Sequence, residues 1–236
     1  MTDSPEQLFA ERLRRDPSRP FVTYYDEDTG ERSELSARSL ANWVAKTHHL
    51  LVDELSLGPG DAAVLALPMH WIGLGPLLAC LTAGLSLAAH GPADVAFGVP
   101  GASLDAPDRF LVAPGSARTG FGAAPVPDGA VDYVAAVRPH EDSWASVRFA
   151  AADGDPCWDG SSRAQAAARA RERAAELGLA GGARVLCTRG WGGPADWLDT
   201  VFAPLAVGGS VVYVHGGSPQ VLARRAEQER VTAQLS

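Results

Sequence analysis

The sequence predicts an α/β protein made of two βαβ-type lobes with mainly parallel sheets, and three observations carry that prediction. Residues 62–93 hold no Asp, Glu, Lys or Arg, although charged residues make up 20% of the 236-residue chain. Pro68, His70, Gly73, Gly75, Pro76 and Gly84 divide this stretch into a strand over 63–67, a helix over about 72–82 and a strand over 85–89. Parallel strands covered on both faces read as near-continuous apolar runs, so the missing charges fit a buried parallel sheet. A bilayer span needs roughly 18 unbroken apolar residues, and these breakers leave only shorter pieces, so the stretch is read as protein interior. The third observation is an echo: residues 57–68 and 179–190 share a Leu, a Gly-containing turn and a strand, and residues 76–89 are answered by 204–214. His90-Gly91 and His215-Gly216 close the two units at matching places. Duplication and the general likeness of βαβ units explain this echo equally well.

Taken in order, residues 5–15 read as a helix, with Ser4 as N-cap, Pro5 in the first turn and Leu8, Phe9 and Leu13 at helical spacing. Residues 21–36 read as a hairpin around a polar turn at 26–31. A helix capped by Ser36 or Ser39 then runs to about Leu55, with Lys46, the single lysine, off its apolar stripe. Between 91 and 153 the chain is Pro- and Gly-rich, with short strands expected at 95–99, 110–113 and 133–137. A lobe boundary is placed there, giving a first lobe over 1–150 and a second over 151–236, which together can form one compact domain. Ser162 and Gln165 spell a capping box for a helix ending at Gly178, and a last amphipathic helix covers about 219–230. Val231-Thr232 is expected to begin a strand with an unpaired edge, which would suit a protein partner or a homodimer.

The formal charge of −8 excludes a basic surface for nucleic acid or anionic membrane. Cys80, Cys157 and Cys187 form no framework spacing, which points to a reducing compartment, and the acidic N-terminus lacks the pattern of a signal peptide. A cytoplasmic location is expected. His48 and His49 are neighbours on a helix and point about 100° apart, and no His/Cys/Asp set has ligand spacing, so neither a metal nor a cofactor is expected.

The element order resembles the N-terminal part of the adenylate-forming superfamily, the acyl-CoA synthetases and related AMP-binding enzymes. The likeness rests on the hairpin, Leu35-Ser36, Leu40, Ala45, Leu57-Gly58-Pro59-Gly60-Asp61, Leu67-Pro68 and Ala83-Gly84. A second set is Phe202-Ala203-Pro204-Leu205, Gly208-Gly209, Val211-Val212 and Glu229-Arg230-Val231-Thr232. The resemblance implies a Ser/Thr/Gly-rich phosphate loop with Pro-Lys between these sets; residues 148–162, RFAAADGDPCWDGSS, contain neither loop nor lysine. Where it implies an aromatic-His element, the chain has Thr188-Arg189-Gly190-Trp191. The adenine motif, ribose-binding aspartate, hinge and catalytic C-terminal lysine that it implies are not in this sequence. No catalytic residue is assigned.

Residues 114–120, PGSARTG, imitate a phosphate loop with Arg118 as cation, although small residues after a strand are ordinary turn chemistry. No Walker loop or GxSxG turn is present. Open parallel sheets bind ligands at strand C-termini, so the candidates for ligand binding are His90, Gly91, Trp191, His215, Gly216, Gly217 and Ser218, with Trp197 as a further pocket wall. The function expected is a catalytically degenerate, non-catalytic binding or partner-interacting protein with an acyl or nucleotide-like ligand. The alternatives are an AMP-dependent synthetase/ligase-like enzyme completed by another chain or a homodimer, and a ligand-free remnant.

Overall fold

The computed structural model describes residues 3–113 and 118–236. Helix α1 (Pro5–Arg15) opens the chain with Pro5 in its first turn. The hairpin follows as β1 (Pro20–Asp26) and β2 (Arg32–Ser36), and Ser36 Oγ accepts the Ser39 amide to start α2 (Ala37–His49). A π-helical turn, Leu50–Glu54, carries α2 on toward Leu55. The uncharged stretch forms β3 (Ala62–Ala66), a 3₁₀ turn at Trp71–Gly73, α3 (Leu74–Ala83) and β4 (Ser86–Ala88). The ten residues of α3 are all buried, which explains why no charge interrupts them.

The irregular middle contains β5 (Val95–Gly98), β6 (Asp108–Leu111), β7 (Val131–Asp132) and α4 (Tyr133–Val137). Residues 133–137, expected as a strand, are therefore helical. Asp132 Oδ1 accepts the Val134 amide as an N-cap, and Tyr133, Val134 and Val137 are buried at i, i+1 and i+4. Helix α5 (Arg163–Glu176) has the complete capping box between Ser162 and Gln165. Then come β8 (Arg184–Cys187), α6 (Pro194–Trp197), α7 (Ala203–Ala206), β9 (Ser210–His215), α8 (Pro219–Gln228) and β10 (Ala233–Leu235).

Two five-stranded sheets result, in the orders β10-β8-β9-β1-β2 and β4-β3-β5-β6-β7. All pairings are parallel except the hairpin β1–β2. Both expected βαβ units are present, since β3 pairs with β4 and β8 with β9. The hairpin, grouped with residues 1–150 in the sequence reading, pairs through β1 with β9 in the sheet that the second half builds. The C-terminal strand starts at Ala233 and runs parallel to β8, with Thr188 donating to the Leu235 carbonyl; it stands at the end of its sheet, so its outer edge has no strand partner among the described residues.

One large core cluster draws on both halves, and α1 packs on α2, α3, α5 and α7. An ion pair between the halves is buried within it. Arg163, wholly buried, meets Glu6 at 2.9 Å and donates to the carbonyls of Leu81 (2.8 Å) and Leu85 (2.9 Å) at the end of α3. Burial pushes the Glu6 carboxyl up against the lowering pull of Arg163. No helix among the described residues is long and apolar enough to cross a membrane.

Candidate functional site

Parallel strands of both sheets end at one cleft of about 710 Å³. Its wall takes Tyr24 and Asp26 from the end of β1, Val214 and His215 from β9, and Thr188 from just past β8. From the other sheet come Leu67 to His70 after β3, Val99 after β5, and Val112 and Ala113 after β6. Trp191 and Gly190 close one side, and Thr29 and Glu31 of the β1–β2 turn another. Strand C-termini leave unpaired backbone and divergent loops, so this is where such sheets receive ligands.

His70 is held in place by its backbone and ring contacts. Its Nδ1 accepts the Ile72 amide at 3.1 Å, capping the 3₁₀ turn that leads into α3. The neutral ring must then carry its proton on Nε2, which faces Glu31 Oε1 at 3.7 Å. Burial lowers the His70 pKa to about 4, with the Glu31 carboxylate opposing that shift, so the ring is neutral near pH 7. The Tyr24 ring packs on it with centroids 4.1 Å apart. Burial pushes the Asp26 carboxyl up, but the Thr29 and Asp28 amides on Oδ1 outweigh this and hold it below its ordinary range. Asp26 is ionised at neutral pH. Trp191 is fixed by Nε1 donating to Thr200 Oγ1 at 2.9 Å and by an edge contact with Tyr213.

Of the candidates read from sequence, Trp191 and His215 line the cleft, His215 at an exposed rim 3.7 Å from Asp28. His90 and Gly91 do not. They follow β4, the edge strand of its sheet, and the strand end that reaches the cleft is that of β3, one place inward. Gly216 and Gly217 are exposed and shape the β9–α8 turn. Gly216 has φ +70°, and a Cβ there would stand 3.0 Å from an Asp28 carboxylate oxygen. Ser218 caps α8, accepting the Val221 amide at 3.4 Å. Trp197 lies in the core.

The sequence reading missed Tyr24, Asp26, Glu31 and His70. A histidine just after Pro68, in a stretch without Asp, Glu, Lys or Arg, was the available signal. Residues 114–117 of the loop-like PGSARTG segment lie outside the described residues, while the Arg118 guanidinium stands over the Trp71 ring, 5.1 Å from its centroid. Residues 148–162 contribute nothing to the cleft wall. Their end is a tight turn, with the Ser161 amide donating to the Trp158 carbonyl, and Trp158 stacks on Phe202 with centroids 4.9 Å apart.

Comparison with known proteins adds the relationship. Over 232 residues the chain is 38% identical to a TIGR03089 family protein of Mycobacterium tuberculosis (strain ATCC 25618 / H37Rv), covering 94% of both. The chain belongs to the TIGR03089 family. No protein-family model matches it. For this family member the solved structures supply the fold. A Brucella canis acyl-CoA synthetase superposes with a TM-score of 0.76 at 15% identity, over 99% of this chain and 47% of that one. The anthranilate CoA ligase AuaEII, in complex with anthranoyl-AMP, gives 0.70 at 12% identity, over 98% and 49%. An artificially fused adenylation–PCP di-domain, NpsA-ThdA from Klebsiella oxytoca, gives 0.66 at 14%, over 99% and 44%. The TIGR03089 chain thus has, over nearly its whole length, the fold of the N-terminal part of adenylate-forming proteins, and spans about half the length of these solved chains.

Proposed function

We propose that this TIGR03089 member is a binding protein on an adenylate-forming scaffold, holding a ligand with an apolar alkyl or aryl body in the cleft without carrying out ATP-dependent adenylation. The observation that supports this is the charge of the cleft wall. None of its described lining residues is Lys or Arg, and two, Asp26 and Glu31, are acidic. Residues 114–117, Pro-Gly-Ser-Ala, bring no cation either. A triphosphate in such a wall would meet like charge with no compensating cation, which costs binding instead of supplying it. Arg189, between the lining residues Thr188 and Gly190, is paired with Asp199 at 2.9 Å. The apolar side of the cleft, with Leu67, Met69, Ile72, Val99, Val112 and Val214, suits an alkyl or aryl chain. The structural neighbour AuaEII is in complex with anthranoyl-AMP, a ligand with an aryl body in a fold of this kind.

Isothermal titration with ATP, AMP and acyl-CoA tests the reading. No heat of ATP binding up to millimolar concentration is expected, and millimolar or tighter ATP binding with pyrophosphate release would overturn it.

A further inference from the structure

The polar groups of the cleft sort its ligands by charge. We infer that the cleft selects an apolar molecule ending in a primary ammonium group, an aliphatic or aryl amine, with Glu31 and Asp26 receiving the cation; the inference rests on the binding reading above. Glu31 stands on the wall with a side chain 27% exposed, so it is largely withdrawn from water yet open to the cleft. Its recorded contacts, Ser33 Oγ at 2.9 Å and His70 Nε2 at 3.7 Å, both fall on Oε1. A carboxylate has about four lone-pair positions, so acceptor capacity remains for an N⁺–H donor.

Asp26 adds a second negative charge that cannot swing away, because its Oδ1 already holds the Asp28 and Thr29 amides at 2.9 and 3.0 Å. His70 does not offset these charges. Its Nδ1 is committed to the Ile72 amide, and the largely buried ring stays neutral at pH 7. The remaining histidine, His215, sits at the rim beside Asp28. A carboxylate ligand would therefore enter a wall with two fixed negative charges and no fixed positive one, while an ammonium would find charge-assisted acceptors at one end and apolar side chains along its length. Trp191 offers an aromatic wall that also favours a cation.

The test is calorimetric titration of the intact protein at pH 7 with octylamine, octanol and octanoate, which share one apolar body. Octylamine is expected to bind about tenfold more tightly than octanol, and octanoate more weakly than either. In Glu31→Gln the octylamine-to-octanol preference should fall about tenfold. Octanoate binding as tightly as octylamine would overturn the charge selectivity and leave the binding reading standing. If none of the three binds, the binding reading itself fails and the inference goes with it. An unchanged preference in Glu31→Gln would remove Glu31 from the recognition.

Discussion

The indole of Trp191 lies against the backbone of Gly73, so close that a Cβ added at Gly73 would stand 2.9 Å from a ring carbon. Gly73 belongs to the turn after β3 and Trp191 to the segment after β8, so this contact joins the two sheets at the wall of the cleft. Gly73→Ala should therefore cost about 1–3 kcal/mol through overpacking and displace Trp191 from Thr200. Trp191→Phe in the same chain removes the clashing ring and should recover part of the loss. Urea unfolding of the two single variants and the double variant measures the coupling; additive effects would show that the contact is not formed.

The buried Glu6–Arg163 pair makes a second, larger prediction. Removing one partner leaves a charge without its counterion inside the core, so Glu6→Ala should cost about 3–5 kcal/mol. The double variant Glu6→Met/Arg163→Met should be considerably more stable than the sum of its singles, because no charge is then buried. Denaturant midpoints across the set decide it.

Stability should also depend on pH through two histidines. Burial lowers both His48 and His70 to about 4, below the ordinary 6.5. The unfolded chain therefore binds protons first as pH falls below 6.5, and stability is lost between about pH 6.5 and 4, with these groups contributing no change above pH 7. Each is worth up to about 3 kcal/mol across that window. His48→Gln should flatten the slope, and imidazole NMR should find His70 protonated on Nε2 alone at pH 6; a His70 that titrates near 6.5 would contradict the buried, capping role.

Much of the fold was legible because local signals were strong. The uncharged run with its breakers gave β3, α3 and β4, and Ser162 with Gln165 marked the start of α5 by its own hydrogen bonds. Residues 133–137 were misread because five apolar residues are too few for a period to separate helix from strand, and the decisive Asp132 cap is a single side chain. The cleft was only partly legible. Trp191 and His215 follow strands that reach it, but His90 follows an edge strand, and sheet order is set by pairing between distant segments. The parallel pairing of β1 with β9 brings Asp26 beside His215 across nearly the whole chain, a contact that no local pattern announces.

The central claim is that a cleft with no Lys or Arg among its described lining residues does not adenylate. ATP–pyrophosphate exchange, measured on the intact protein with magnesium and a panel of alkyl and aryl carboxylic acids, tests it most directly. The account predicts exchange no faster than in a protein-free control for every acid. Acid-dependent exchange that scales with protein concentration, and that falls when Trp191 is replaced by Ala, would contradict it.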